Sequence, residues 1–251
     1  MLGNASQKAP FDVRAASADP RSSKPRTLVT RLSETFRYAL DIVRFRDPHR
    51  VALLAIREIC RPLVYWYCWD IVENDLRLPF RVPYGTRRFT VRTHGGTHRI
   101  ESTVAILLPL GQLSSEEITA RCKRGDVVGV AYAENEPVGY SWMTFDTRFE
   151  MTFGTRWCLR PNEAVLYGSY VVPQWRGNGV HSWLDLEMNN YARQRGITRT
   201  LGSISILNSG SLSLARKQGK PVIMTLLLIR LRGLGWTYRR AFGAPLTSHF
   251  E

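Results

Sequence analysis

The first third of the chain places its apolar residues three and four positions apart, the spacing that puts side chains on one face of a helix. The first such run consists of Leu28, Leu32, Phe36, Leu40 and Val43. A second run, from Val51 to about Trp69, is rich in aromatic residues and contains Pro62, which predicts a kink. We expect two amphipathic helices here, which either pack against the main domain or serve as a lid or membrane-surface element.

Short β-rich runs replace this pattern from residue 88 onward. The predicted strands are Arg88–Arg92, Thr103–Leu108, Val127–Ala133, Pro137–Phe145, Ala164–Val172, Thr200–Leu207 and Val222–Leu231. Glu134-Asn135-Glu136, between the third and the fourth of these strands, predicts a tight hairpin. Helices are predicted from Ser114, over Gly179–Arg195 and over 210–218. Strands followed by strand–helix–strand–helix–strand predict a mixed α/β sheet.

These patterns divide the chain into four parts. Residues 1–27 combine alanine, serine, proline and scattered charge without periodicity, which predicts a disordered tail. Residues 28–80 form the helical extension, residues 81–235 the α/β domain, and residues 236–251 a basic tail. We see neither about 18 uninterrupted apolar residues nor a secretory signal, so we expect a cytoplasmic protein.

The net charge of +14 is carried by the two ends of the chain. Residues 1–62 hold 12 basic and 6 acidic side chains, residues 63–215 hold 16 and 14, and residues 216–251 hold 7 and 1. Such an excess attracts phosphates, anionic lipid headgroups and nucleic acid without choosing among them. We therefore expect a peripheral association with an anionic membrane surface, unless the arginines only keep the protein soluble.

Glycines mark the turn between the predicted strand 164–172 and the helix that follows it. The turn reads Gln174-Trp175-Arg176-Gly177-Asn178-Gly179. Gly177 and Gly179 lack Cβ atoms, so the backbone can turn sharply and approach an anion closely. The N–H groups of the turn and the helix start converge, and the helix dipole adds about half a positive charge there. The turn predicts an anion cradle suited to a pyrophosphate.

Other chemistries have less support in the sequence. No Gly-Lys-Ser/Thr follows the turn, which excludes the Walker pattern, and the third glycine and downstream acid of a dinucleotide fingerprint are missing. A serine hydrolase elbow, Gly-x-Ser-x-Gly, is also missing. His94 and His98 have metal-like spacing but no third ligand nearby in the sequence, so we predict no metal site.

The run 171–179, which reads Val-Val-Pro-Gln-Trp-Arg-Gly-Asn-Gly, resembles the acyl-CoA-binding signature of the GNAT superfamily of N-acetyltransferases. That signature is Arg/Gln-x-x-Gly-x-Gly/Ala after a strand that ends in Val-x-Pro, and its positions are filled here by Gln174, Gly177 and Gly179. Asn208, with Gly219 eleven residues later, resembles the family's second segment, and Gly129–Tyr140 resembles its central hairpin. The resemblance covers roughly residues 88–233.

The resemblance implies a GNAT-like α/β fold: a mixed, mostly antiparallel sheet flanked by helices, in which the parallel strands 164–172 and 200–207 splay apart. It implies acetyl-CoA or another acyl-CoA as cosubstrate, with the pantetheine in the gap, and no metal. The implied cofactor-binding residues are Val171, Val172, Gln174, Trp175, Arg176, Gly177, Asn178, Gly179 and Asn208. The backbones of the two valines would bond the pantetheine, the amides of 174–179 the pyrophosphate, and the asparagine would line the acyl end.

The resemblance also implies direct attack of a neutral amine on the thioester, without an acyl-enzyme. The side chains that could transfer protons near the opening are Glu163, Tyr167, Tyr170 and His181. We predict Tyr170 as the acid, with Glu163 and His181 as the further catalytic candidates. The family often places a tyrosine acid seven residues after the strand-ending asparagine, but this chain has Ala215 there, and Lys220 stands where an aromatic residue is usual.

Three classes of function follow from these observations. The first is an acyltransferase that acts on an amine or hydroxyl of an unidentified acceptor, which the cationic flanks would favour if it were acidic or lipid-linked. The second is a GNAT-fold module that binds acyl-CoA or assembles with a partner and has little turnover. The third is a cationic protein of membrane surfaces or nucleic acid; nucleic acid is the less favoured partner because it would not need the glycine turn.

Overall fold

The computed structural model describes residues 49, 52–53, 55–56, 60, 64–79, 89–95, 99–152, 155–231 and 237–243. The predicted tail 1–27 and the predicted helix over 28–43 lie outside the described residues. The described residues between His49 and Cys60 are helical, as the second apolar run predicts. None of the helices in the described ranges has the length and apolar character needed to span a bilayer.

In the part of the chain that the structure describes, eight strands form one sheet, and a separate hairpin adds two more. The strands are β1 (Val64–Asp75), β2 (Thr90–Gly95), β3 (Val127–Ala133), β4 (Glu136–Thr144), β5 (Arg148–Thr152), β6 (Thr155–Cys158), β7 (Glu163–Val171), β8 (Arg199–Ser205), β9 (Val222–Leu231) and β10 (Thr237–Gly243). The order across the sheet is β10-β9-β1-β8-β7-β4-β3-β2, and β5 pairs with β6. All pairs are antiparallel except β7 with β8. The predicted mixed sheet with one parallel pair is therefore confirmed.

Within residues 99–231 as far as the structure describes them, four α-helices lie against the sheet: α1 (Ile100–Leu107), α2 (Ser115–Lys123), α3 (Val180–Arg193) and α4 (Ser209–Lys217). On one face, α1 and α2 bury Tyr140 and Trp142 of β4. On the other face, Met188 of α3 packs against Met143 of β4. The β5–β6 hairpin lies on the same face as α1 and α2, because the ring of Tyr167 on β7 touches both groups.

Several predicted elements are confirmed. The hairpin predicted around 134–136 joins β3 to β4. The predicted start of a helix at Ser114 is a capping box, in which the Ser114 hydroxyl accepts the Glu117 N–H at 3.2 Å and the Glu117 carboxylate accepts the Ser114 N–H at 3.0 Å. The helices predicted over 179–195 and 210–218 correspond to α3 and α4.

Three predictions of local structure are wrong. The predicted helix continuing to Trp69 gives way to β1, where aromatic and β-branched residues also suit a strand, and this strand is hydrogen-bonded between β8 and β9. The predicted strand 103–108 lies in α1, whose buried Thr103 and Leu107 are four residues apart. Residues 237–243 of the predicted basic tail form β10 on the edge of the sheet.

The hairpin of β5 and β6 was not predicted. Its Phe149 and Trp157 pack against Ile71 of β1 and Val165 of β7. Because Ile71 comes from the predicted N-terminal extension, the extension and the α/β domain share one sheet and one core. The N-terminal third thus supplies an internal strand.

Replacing Ile71 by alanine tests this central position of β1. Ile71 is 1% exposed, so Ile71→Ala should lower the free energy of unfolding by about 3 kcal/mol through lost burial and the cavity left behind. Ile56→Ala is the matched control, because Ile56 is 52% exposed, and should cost less than about 1 kcal/mol. Denaturant unfolding measures both, and equal small losses would contradict a buried β1.

Candidate functional site

The parallel strands β7 and β8 are paired over only part of their length. Glu163–Leu166 pair with Arg199–Gly202, and the pairing ends there. On the other side of β7, Tyr170 lies opposite Tyr140 and Tyr167 opposite Trp142, so one residue of β4 faces two of β7. This is a β-bulge, and it bends β7 away from β8.

Glycine makes this bulge possible. Gly168 has φ +58°, a left-handed conformation that glycine adopts at little cost. The bulge and the unpaired ends of the strands open a cleft of about 290 Å³. Its walls come from β7, β8, α3, α4 and the turn after α4, with Val72 and Asn74 of β1 at its base. The splayed parallel pair that the resemblance implies is therefore present.

The glycine turn for which the sequence predicts an anion cradle lies where β7 passes into α3. A short 3₁₀ turn, Pro173–Trp175, precedes Gly177 and Gly179, whose φ values are +82° and +84°. Gly179 is the N-cap of α3 and offers no capping side chain. Six successive amides, from residue 177 to 182, donate to no carbonyl or side chain of the described residues. Free N–H groups at a helix start favour an anion there.

The structure narrows the predicted set of cradle amides. The amides of Trp175 and Arg176 are not free, because they donate to the carbonyls of Val172 and Pro173 at 2.9 and 3.2 Å in the 3₁₀ turn. The cradle therefore shifts forward, from the predicted 174–179 to 177–182. Gln174 is exposed, and the Asn178 side chain contacts the Arg176 carbonyl at 3.4 Å.

The two valines differ in what their backbones can offer. The Val172 N–H donates to Val138 of β4 at 3.0 Å, and its carbonyl accepts from Trp175, so this backbone is already used. Because successive amides of a strand point to opposite sides, the Val171 N–H points toward the gap. The Val171 carbonyl accepts from Arg176 Nε at 3.2 Å. Of these two valines, Val171 is the one whose N–H is open to a ligand in the gap.

Asn208 and Ala215 both line the cleft. Asn208 is the N-cap of α4, and its Oδ1 accepts the Ser211 N–H at 3.1 Å, which leaves its amide N–H₂ group for a ligand. Ala215 is buried and carries no proton donor. The position at which the resemblance implies a tyrosine thus faces the cleft without a hydroxyl.

The four predicted proton-transfer residues separate into two groups. Tyr167 and His181 line the cleft. Tyr170 packs against Tyr140, with ring centroids 5.8 Å apart, on the face covered by α1 and α2. Glu163 is buried at the paired end of β7, where it accepts hydrogen bonds from Arg199 at 3.0 Å and from the Arg160 amide at 3.0 Å. Tyr170 and Glu163 are not brought to the cleft.

Tyr167 is a neutral phenol in a polar cluster. Its hydroxyl donates to Asp126 Oδ2 at 2.5 Å. Nη2 of Arg124 donates to the same Asp126 oxygen at 2.6 Å and to the phenol oxygen of Tyr167 at 3.2 Å. Burial first, and then the charge of Asp126, raise the pKa of Tyr167 well above its ordinary value. Oδ1 of Asp126 is buried and has no hydrogen-bond partner.

His181 belongs to a buried charged cluster at the wall of the cleft. Asp185, one turn later on α3, has its Oδ2 2.7 Å from Lys220 Nζ and 3.4 Å from His181 Nδ1. Burial alone would raise the pKa of Asp185, but Lys220 and then His181 outweigh it and hold this pKa well below the usual range of an aspartate. The sequence analysis did not predict a role for Asp185. The feature that could have indicated it is Lys220, a charged residue at a position where the resemblance implies an aromatic one.

Removing Lys220 should destabilise the folded chain, because the Asp185 carboxylate is buried. Lys220→Met should lower the free energy of unfolding by about 3 kcal/mol, because Asp185 would stay buried without its main counter-charge. Adding Asp185→Asn should recover part of that loss, whereas Lys123→Met at an exposed lysine should cost little. Denaturant unfolding of the four proteins decides this, and an unchanged Lys220→Met would refute the pairing.

The same pair predicts a pH dependence. The pKa of Asp185 is lower in the folded chain than in the unfolded chain, so its contribution is present above an unfolded pKa of about 3.9 and is lost as pH falls below it. The free energy of unfolding should therefore fall less steeply below about pH 4 in the double variant than in the wild type.

Comparison with known proteins finds a similarity to one family over part of this chain. Residues 98–219 match the model of the acetyltransferase (GNAT) family. No curated protein is similar enough in sequence to match this chain. Similar solved structures include a Drosophila protein (TM-score 0.44, 15% identity, 73% of this chain and 56% of that one). Another is a GCN5-related N-acetyltransferase from Sphaerobacter thermophilus (TM-score 0.46, 15% identity, 71% of this chain and 56% of that one).

A third is AAC(6')-Iy in complex with a bisubstrate analog (TM-score 0.41, 16% identity, 53% of this chain and 90% of that one). This chain spans only 56% of the length of the Drosophila and Sphaerobacter chains. The residues matched by the family model run from α1 through α4 and include the cradle and both walls of the cleft. Over residues 98–219, from α1 through α4, this chain is therefore similar to the GNAT family of acetyltransferases.

Proposed function

We propose that this protein transfers an acyl group from acyl-CoA to an amine. The observation that carries the proposal is the continuity between the cradle of free amides at 177–182 and the gap between β7 and β8. Acyl-CoA has matching parts: a diphosphate at one end of the pantetheine arm and a thioester at the other. With the diphosphate at the cradle, the arm would run back along β7 toward the bulge.

The length of β7 between the glycine turn and the bulge agrees with this placement of the pantetheine arm. From Val172 back to Gly168 there are four residues, about 13 Å of strand at 3.3 Å per residue. The thioester would therefore lie beside Tyr167, Gly168 and Ser169, where the cleft reaches the bulge. The open N–H of Val171 would bond the arm on the way, as an added strand bonds a free sheet edge.

The chemistry proposed is one direct displacement. The nitrogen of a neutral amine forms a bond to the thioester carbon, the C–S bond breaks, and the thiolate of CoA leaves with the electron pair. The amine gives up one proton after attack and the thiolate takes up one. Tyr167 is the phenol nearest this end of the gap, while His181 lies at the cradle end, in the first turn of α3.

A pair of isosteric variants tests the cradle. Gly177 has φ +82° and its missing Cβ would meet nothing within 4 Å, so asparagine and aspartate, which both tolerate this conformation, should be accommodated. Gly177→Asp should weaken CoA binding at least tenfold, because its carboxylate repels the diphosphate, and Gly177→Asn should weaken it far less. Calorimetry with CoA measures both. Equal affinities in the two variants would contradict an anion cradle.

A second candidate function is acyl-CoA binding with little turnover. It is favoured by Ala215, which faces the cleft without a hydroxyl, and by the placement of Tyr170 and Glu163 away from it. Incubating acetyl-CoA with a panel of primary amines and measuring released thiol separates the two. We expect thiol release with at least one amine in the wild type and none in Gly177→Asp; binding of CoA without release from any amine would favour the binding module.

A further inference from the structure

Two serine hydroxyls meet at the wall of the cleft. Oγ of Ser169 on β7 and Oγ of Ser141 on β4 are 2.8 Å apart, and neither hydroxyl has another hydrogen-bond partner among the described residues. Ser141 is 1% exposed, whereas Ser169 is exposed and lines the cleft. One hydroxyl of the pair is therefore enclosed in the protein and the other is open to a ligand.

Burial decides which of the two hydroxyls donates. Each hydroxyl carries one proton, and a buried proton without an acceptor is costly. If Ser169 donated to Ser141, the proton of Ser141 would be buried with no acceptor among the described residues. The bond that satisfies both groups runs from Ser141 to Ser169, and it leaves the proton of Ser169 for an acceptor in the cleft. Accepting a hydrogen bond also makes the Ser169 hydroxyl a stronger donor.

The hydroxyl pair lies on the face of the sheet that α3 covers. Ser141 is directly opposite Gly129 of β3, and residues opposite each other in an antiparallel pair point to the same face. A Cβ on Gly129 would lie 2.5 Å from Sδ of Met188 on α3, so Gly129 and Ser141 both face α3. Because α3 and α4 also supply walls of the cleft, a ligand between these helices meets the Ser169 hydroxyl from that side.

Two other positions near this part of the cleft offer no free hydroxyl proton. The Tyr167 hydroxyl already donates to Asp126, and its ring packs on the opposite face, with α1 and α2. Ala215, where the resemblance implies a tyrosine, carries no hydroxyl. Ser169 therefore supplies the donor that both of these positions lack.

We propose that Ser169 is a catalytic residue that donates a hydrogen bond to the sulfur of the departing CoA thiolate, with Ser141 as its positioning residue. The proposal rests on the proposed function, which places the thioester beside Ser169. As the amine nitrogen bonds to the thioester carbon, the C–S bond breaks and the sulfur takes the electron pair, so the hydrogen bond from Ser169 becomes charge-assisted. Ser169 keeps its own proton, because a thiolate is too weak a base to remove the proton of an alkyl hydroxyl. The amine loses its proton to solvent, from which the released thiolate takes one up.

Free CoA and desulfo-CoA, which lacks the sulfur, test this contact without turnover. The thiol is protonated at about pH 7 and substantially ionised at about pH 10, and desulfo-CoA cancels every other group that titrates between them. In calorimetry, the ratio of the CoA affinity to the desulfo-CoA affinity should rise over this range at least about fivefold more in the wild type than in Ser169→Ala, because a hydrogen bond to a charged acceptor is lost. An equal rise in both proteins would overturn the proposal and leave CoA binding intact. Failure of both ligands to bind the wild type would instead refute the proposed function.

Further variants assign the effect to the hydroxyl pair. Ser169→Thr keeps a hydroxyl and should keep the wild-type rise. Ser141→Ala should reduce the rise, but it should change nothing further once Ser169→Ala is present, because it acts through that hydroxyl. The double variant also removes the buried hydroxyl that Ser169→Ala leaves unpaired, so it serves as the test protein if the single variant does not fold. A further loss in the double variant would overturn the role of Ser141.

Ser203→Ala is the matched control. Ser203 lines the same cleft from β8, but it lies opposite Ile71, which faces the β5–β6 hairpin on the other side of the sheet. Its loss should leave the rise unchanged, and a loss as large as that of Ser169→Ala would overturn the assignment to Ser169. With an amine that releases thiol in the wild type, Ser169→Ala should lower kcat at least about tenfold at unchanged affinity for acetyl-CoA, and an unchanged kcat would overturn the catalytic role.

Discussion

The glycine bulge of β7 is the constraint on which the rest of the site depends. A parallel pair of strands normally continues its hydrogen bonds to the end, which would leave no space for a ligand between them. Here Gly168 takes a left-handed conformation, two residues of β7 face one of β4, and the pairing with β8 ends at Leu166 and Gly202. The cleft and its open backbone edge both follow from that one departure from regular strand geometry.

The opposite end of the same strands is held closed. Arg199 of β8 donates to Glu163 of β7 at 3.0 Å and to Glu73 of β1 at 2.8 Å, so one guanidinium joins three strands. A carboxylate buried as completely as that of Glu163 needs such a partner, and losing it would be costly. The sheet is thus fixed at the paired end and open at the other, which gives the gap one entrance next to the cradle.

The polar chemistry around the cleft departs from what the resemblance implies. Ala215 leaves one wall without a hydroxyl, while Lys220 adds a buried ammonium that Asp185 neutralises. On the far side of the bulge, the Arg121 guanidinium lies over the rings of Trp142 and Tyr167, whereas Arg124, three residues later, pairs with the buried Asp126 at 2.6 Å.

The sequence by itself determined the second half of the fold and the glycine turn before α3. These features depend on local conformation, so the sequence alone could predict them. They are the periodicity of the strands and helices, the capping box at Ser114 and the turn glycines at 177 and 179. Even so, the free amides of this turn are those of 177–182 and not the predicted 174–179, because the 3₁₀ turn uses the amides of Trp175 and Arg176, and that turn is not visible in composition.

The tertiary structure decided the role of the N-terminal third and which side chains line the cleft. The sequence predicts a helix over residues 64–69, because aromatic residues suit either structure. These residues form a strand because they are hydrogen-bonded between β8 and β9 in the folded sheet. Tyr170 and Tyr167 are three residues apart, yet of the two only Tyr167 lines the cleft, while Tyr170 packs against the ring of Tyr140. Arg121, Trp142 and Gly168 meet although up to 47 positions separate them in the sequence, and such contacts arise only when the sheet brings distant segments together.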